Sequence, residues 1–277
     1  MNIQDIVNIL IKSGIEPNEA NIEVKMLIEH FANYTLKDII MGNKLDSQKL
    51  KIVKEKAELR AQTHQPIQYI IGLSDFMGEK FIVNKNVLIP RDETEILVKK
   101  AIDIINQNKF TKALDVGTGS GCIACMIAKY TDCQIIGLDI SKDALNTALD
   151  NASKLNLFNK AIFRKSDIFS NVKPGETFDI IISNPPYIPF AQKENIQKEV
   201  SFEPETALYT NDDKGLEFYQ KIIQDAPNIL NKNGYILFEL GINQAPYVKQ
   251  ILLDNKFKDI EIINDLAGIE RVILGKI

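Results

Sequence analysis

Seven short apolar runs, near residues 112–116, 134–139, 161–164, 178–183, 234–240, 257–263 and 270–275, constrain the fold more than any other feature of this chain. Helix-length segments separate most of them. Strands that alternate with helices build a parallel sheet covered on both faces. The last two runs have no helix between them, so a terminal hairpin sets an antiparallel strand into the sheet. The expected architecture is α/β with a seven-stranded mixed sheet.

The chain before these runs reads differently. Up to about Gly72 the apolar spacing is helical, through Ile3, Ile6, Val7, Leu10 and Ile11, then Ile22, Val24, Met26, Leu27 and Phe31. Thr35 and Ser47 stand at expected N-caps. Residues 1–72 therefore form a small all-α bundle. Residues 73–90 contain a β-hairpin linker, with Phe76 and Phe81 flanking Gly78. The α/β domain occupies 91–277 and opens on a helix for which Asp92 is the expected N-cap and Glu95 its capping-box partner.

Composition limits the function classes. At 277 residues the chain can bury a sizeable core, and 45% hydrophobic with 25% charged residues is an ordinary globular mix. No apolar stretch approaches the ~20 residues that cross a bilayer. The start of the chain lacks a secretory pattern, and three cysteines fit a reducing compartment, so the expected location is the cytoplasm. Cys122 and Cys125 have C-x-x-C spacing but fall inside an expected helix, where they read as core. His30 and His64 have no metal partners nearby, so no metal is expected. A net charge of −4 argues against a broad nucleic-acid surface. The local basic bias of Lys44, Lys49, Lys51, Lys54, Lys56 and Arg60 reads as a solvated helix face.

Asn184-Pro185-Pro186-Tyr187 directly follows the run 178–183. Two consecutive prolines fix φ twice and remove two backbone donors, leaving nearby carbonyls to point outward. Asn184 adds a side-chain carbonyl at the strand's C-terminal edge, and Tyr187 adds an aromatic face. Such a loop suits a planar NH2 group, bound by the Asn184 oxygen and the Pro185 carbonyl, and hence N-alkylation. Asn-Pro and Pro-Pro are also ordinary turn chemistry. A second loop decides between these readings. Asp115-Val116-Gly117-Thr118-Gly119-Ser120-Gly121 joins a strand to a helix, and its glycines let the backbone approach a ligand. Glycine at 117, 119 and 121 departs from the dinucleotide fingerprint. Asp139, ending the next strand, can accept two ribose hydroxyls. Asp167 and Ile168 follow the third; Asp167 reads equally well as an adenine ligand, with Ile168 covering the ring, or as a turn residue.

The glycine spacing resembles that of S-adenosylmethionine enzymes, and the sheet with its terminal hairpin is similar to the Rossmann-like class I S-adenosylmethionine-dependent methyltransferase domain. More closely, the chain resembles the protein-(glutamine-N5) methyltransferases of peptide chain release factors. The resemblance rests on Gln65-Pro66 with Gln68-Tyr69 and Gly72, Phe76 with Gly78, Leu88 to Glu95, Asp115 to Gly121, Asn184 to Tyr187, Phe202-Glu203-Pro204 and Gly215-Leu216. The chain departs from the family at Asp92, where proline is usual, and at Tyr209 to Lys214, which is more polar than the common glycine-rich form. The resemblance implies S-adenosylmethionine as methyl donor and S-adenosylhomocysteine as product. It implies the glutamine of the Gly-Gly-Gln motif of class I release factors as acceptor, held by Asn184, Pro185 and Tyr187. The helical bundle would dock the release factor, the alternative being a purely stabilising cap. Two other readings remain: an N6-adenine or N2-guanine methyltransferase, since a base amine suits the same tetrapeptide, and a non-catalytic translation-associated adaptor.

Overall fold

The computed structural model describes residues 2–277. The chain divides into two compact units. One comprises the chain up to Leu73 together with Gln197–Phe202; the other comprises Ser74–Ile196 and Glu203–Ile277.

In the first unit, helix Ile3–Lys12 starts at a capping box in which Asn2 and Asp5 each accept the other's backbone N–H. Helices Pro17–Leu27 and Ser47–Thr63 bury Val24, Leu27, Val53 and Ala57 against Ile6, Val7 and Leu10. Two expectations fail here. Ser47 is the first helical residue and Asp46 is its cap, accepting from the N–H groups of Gln48 and Lys49. Arg60 does not belong to a solvated face: it is 1% exposed and ion-paired with Glu23 at 3.0 Å and Glu199 at 3.0 Å. A guanidinium has no neutral form to retreat into at ordinary pH, so its burial calls for compensating carboxylates. This pairing explains why Gln197–Phe202, far away in sequence, belongs with the helices. Ile22, despite its apolar register, is 60% exposed.

The second unit begins inside the strand Leu73–Phe76, which meets Glu79–Ile82 through Met77 and Gly78, both at positive φ, as a two-residue hairpin turn requires. Phe76 and Phe81 pack edge to face at 5.9 Å in the core. Helix Asp92–Asn108 begins at Asp92 itself, so the expected cap is the first helical residue. Arg91 occupies the N-cap position, and no capping box forms, because Glu95 accepts the Met77 N–H and the Lys99 ammonium instead.

The central sheet has seven strands: β1 (Lys112–Val116), β2 (Gln134–Asp139), β3 (Ala161–Lys165), β4 (Phe178–Ser183), β5 (Leu230–Glu239), β6 (Lys258–Asn264) and β7 (Glu270–Lys276). Their order is β6-β7-β5-β4-β1-β2-β3. The first five are parallel, and β7 runs antiparallel to both β5 and β6. Period-2 alternation sends Ala113, Ile135, Ile180, Ile182 and Leu237 to one face, against helices Asp92–Asn108 and Cys122–Tyr130. Leu114, Ile136, Ile181, Ile236 and Phe238 pack on the other, against Glu217–Asp225 and Ala245–Asp254. All three cysteines are buried and unpaired. Among the described residues no helix is long and apolar enough to cross a membrane.

Candidate active site

Strand β1 has neighbours on both sides whose connections leave in opposite directions, and at such a switch point the loops after the strands open a crevice. Register fixes what enters it. Val116 pairs with both Ser183 and Leu138, and Ser183 pairs with Phe238. The next residues along these four strands are Gly117, Asn184, Asp139 and Glu239. Sheet pairing alone therefore gathers the glycine turn, the Asn-Pro-Pro-Tyr loop and two carboxylates.

A cavity of about 400 Å³ opens there, within the range of small-molecule sites. Gly117, Gly119, Asp139, Asp167, Ile168, Asn184, Pro185 and Pro186 all line it. Gly117 and Gly119 have φ of 76° and 53°, and a Cβ at Gly117 would meet only open space. Asp139 accepts the Gly119 N–H at 2.9 Å on one oxygen and the Ser141 N–H at 2.8 Å on the other. Each oxygen keeps a lone pair for a ligand hydroxyl. Burial pushes the Asp139 carboxyl above its usual range, while those two N–H groups pull it down.

Ile168 lies at φ 46°, an outlier for a β-branched residue. Ser166 Oγ holds this turn by donating to the Ile168 carbonyl at 2.7 Å and accepting the Asn171 N–H at 3.0 Å. Ser170 Oγ accepts the Asp167 N–H at 3.0 Å. The strained turn presents both Asp167 and Ile168 to the cavity.

Asp115, Thr118, Ser120 and Gly121 lie behind the glycine turn and do not line the cavity. Thr118 donates to Asp115 at 2.6 Å, the Ser120 carbonyl accepts from Asn151 at 2.9 Å, and Gly121 packs on Ala148 and Phe163. Their place is the support of the turn. Tyr187 is also outside the lining; its carbonyl accepts from Gln244 Nε2 at 3.0 Å and its ring packs by Gly241.

Asp115 is fully buried, and its Oδ1 has no hydrogen-bond partner. Burial pushes its carboxyl up to about 7, the Thr118 bond opposes the shift, and the Asp139 charge adds to it. An unfolded aspartate titrates near ~3.9. From about pH 4 to pH 7 the folded protein holds a proton that the unfolded chain has released. This contribution to stability is complete below about pH 4 and is lost as pH rises through the folded value. Asp115→Asn removes that dependence. The melting temperature of the variant minus that of the wild type is expected to increase between pH 5 and pH 8; a difference independent of pH would contradict the assignment.

Several site residues are not apparent from the sequence. The Tyr209 hydroxyl is buried without a partner, and the residue lines the cavity beside Phe190. Its only signal was its place in the stretch that departs from the family's glycine-rich form. Glu239 ends β5 as Asp139 ends β2, an acidic residue closing an apolar strand. Gln244, 7% exposed, donates to the carbonyls of Tyr187 and Lys214 and accepts the Gly241 N–H. Glu203, already singled out within Phe202-Glu203-Pro204, joins the Ile89 N–H and the Arg91 guanidinium.

The residues present fit an adenosine-containing sulfonium ligand: a glycine turn open to the cavity, Asp139 with lone pairs to spare, and the unpartnered Tyr209 hydroxyl. With the sheet order, they define a class I S-adenosylmethionine-dependent methyltransferase. The family model described as "Methyltransferase domain" matches residues 107–269. A methyltransferase from Pyrococcus furiosus superposes with a TM-score of 0.53 at 17% identity, covering 83% of this chain and 97% of its own. The release factor glutamine methyltransferase of Neisseria gonorrhoeae is 37% identical over 262 residues, 92% of this chain and 93% of its own length. That of Fusobacterium nucleatum is 37% identical over 238 residues, 85% and 67% respectively. The chain belongs to the release factor glutamine methyltransferase family.

Proposed function

We propose that the protein transfers a methyl group from S-adenosylmethionine to the side-chain amide nitrogen, N5, of the glutamine in the Gly-Gly-Gln motif of class I peptide chain release factors. The observation that carries this reading is the Asn184 carboxamide at the C-terminal edge of β4, in the cavity and beside the glycine turn. Asp139, Asp167 and Ile168 would hold the nucleoside, and Gly117 and Gly119 its methionine part, with Asp115, Thr118, Ser120 and Gly121 supporting the turn. When bound, S-adenosylmethionine supplies an electrophilic methyl group.

An amide nitrogen is a poor nucleophile because its lone pair is delocalised into the carbonyl. Asn184 Oδ1 and the Pro185 carbonyl each accept one N–H of the glutamine. As the nitrogen loses planarity and gains positive charge, both bonds strengthen, so they stabilise the transition state more than the ground state. Orientation can contribute up to roughly 7–11 kcal/mol. The proton leaves after the N–C bond has formed, so the site needs no strong base. Pro186 and Tyr187 keep the loop rigid, and the helical region 1–72 docks the release factor, while residues 91–277 carry the chemistry. The reaction belongs to the cytoplasm, where release factors act.

The test is methyl transfer from labelled S-adenosylmethionine to a purified release factor, beside its Gln→Ala variant in the Gly-Gly-Gln loop and samples of rRNA and DNA. Label is expected only on the unmodified factor. Label on nucleic acid alone would replace this reading with a base-amine methyltransferase.

A further inference from the structure

The geometry points to Glu239 and Thr94 as a positioning pair that fixes the Asn184 carboxamide with its NH2 inward and Oδ1 toward the cavity. This rests on the reading of Asn184 as the acceptor of the substrate N–H. Glu239 and Thr94 are 3% and 2% exposed, 145 residues apart in sequence, and joined by a 2.6 Å bond from Thr94 Oγ1 to Glu239 Oε2. Asn184 Nδ2 lies 3.3 Å from Thr94 Oγ1, and the Asn184 side chain is close enough to Glu239 to stabilise its carboxylate.

Proton counting assigns the amide. An ionised carboxylate only accepts, so the single Thr94 hydroxyl proton points at Glu239. Toward Asn184 the Thr94 oxygen is then an acceptor, and so is Glu239. Only the NH2 end of Asn184 can face two acceptors; the flipped amide would set oxygen against oxygen. The substrate therefore meets Oδ1, the one end able to accept its N–H. Donation of the Asn184 NH2 toward a buried negative charge also polarises the amide and makes Oδ1 a stronger acceptor.

The pair is conditional on ionisation. Burial pushes the Glu239 carboxyl up to about 7; the Thr94 bond opposes this, the Glu93 charge adds to it, and Arg271 and the Asn184 amide lower it. Tyr187, Tyr219 and Cys122 also interact with its charge. All three phenol and thiol groups are held above their ordinary values by burial and stay neutral near pH 7. A protonated Glu239 becomes a donor, which frees the Thr94 proton to turn and removes the bias on the amide.

The experiment measures kcat, KM for the release factor and S-adenosylmethionine affinity from pH 5.5 to 9 in the wild type and in Thr94→Val, Thr94→Ser, Glu239→Gln and Asn184→Ala. Thr94→Val is expected to lower kcat about tenfold to a hundredfold, with unchanged S-adenosylmethionine affinity, and Thr94→Ser to restore it. Wild-type kcat is expected to fall on the acid side with an inflection near 7 that Glu239→Gln abolishes. Normal kcat in Thr94→Val and an unchanged profile in Glu239→Gln, with Asn184→Ala inactive, would overturn the pair but leave the role of Asn184 standing. A near-normal Asn184→Ala would instead remove the reading beneath it. Equal losses of kcat and S-adenosylmethionine binding in Thr94→Val, without rescue by serine, would reduce the pair to a structural element.

Discussion

Asn184→Ala is expected to lower kcat by about 10²–10³, the loss typical of removing one preorganised polar contact to a transition state. The effect should fall on kcat more than on KM, because in the proposed reaction a planar acceptor amide would use the Asn184 oxygen weakly in the ground state and strongly once its nitrogen acquires charge. Alanine leaves Thr94 Oγ1 without its 3.3 Å donor. That loss is about 1 kcal/mol, so folding should survive with a small shift in melting temperature. Asn184→Asp is not a rescue. It restores an acceptor oxygen but sets a second carboxylate against Glu239 and removes the NH2 that faces Thr94. Single-turnover methyl transfer separates chemistry from binding; near-normal turnover in Asn184→Ala would exclude Asn184 from the reaction.

The sheet was legible in the sequence because each strand is a short apolar run closed by a turn, and its period does not depend on distant residues. The one clear discrepancy has a local cause. Strand β5 begins at Leu230, not 234, since Phe178 pairs with Leu230 while Ile180 pairs with Tyr235, a register shift that accommodates the polar residues 231–234. Asn231 bonds Asp179 across this irregularity at 2.7 Å. A polar stretch of this kind breaks the hydrophobic period without ending the ladder. Helix starts were read less well because side-chain acceptors have competing donors. Glu95 could complete a capping box by spacing, but in the fold the hairpin's Met77 N–H takes its carboxylate.

The candidate site was legible where its lining comes from residues adjacent in sequence, as with Gly117 and Gly119 of the glycine turn and Asn184, Pro185 and Pro186 of the next loop. It was illegible where a residue's meaning comes from a remote partner. Arg60 reads as one cation in a basic run until Glu23 and Glu199 surround it. Glu239 reads as a strand terminus until the Phe238–Ser183 pairing brings it beside Asn184. Register between strands is set by the whole sheet, so no window of sequence contains that information.

Gly215→Ala is expected to disable the same loop from behind. Gly215 sits at φ 72° just before helix Glu217–Asp225, and a Cβ there would fall on the Tyr187 carbonyl oxygen and come within 2.5 Å of Gln244 Nε2. Neither neighbour is a free side-chain end. The Tyr187 carbonyl is backbone of the Asn-Pro-Pro-Tyr loop, and Gln244 Nε2 binds it at 3.0 Å while also binding Lys214 O at 2.9 Å. The glycine start of one helix must therefore move away from the loop, or Tyr187 must move and carry Pro186, Pro185 and Asn184 with it. Left-handed backbone adds about 1–2 kcal/mol for alanine, and each lost hydrogen bond about 1 kcal/mol more. Displacement of a positioning group by about 1 Å can reduce rate by 10². The variant should thus lose about a hundredfold in kcat together with several degrees of melting temperature. Gly268→Ala supplies the control, since its φ of 81° imposes the same backbone penalty but nothing lies within 4 Å of its Cβ. It should lower stability slightly and leave kcat intact. Equal behaviour of the two variants would show that backbone conformation, not the contact with Tyr187, accounts for the loss.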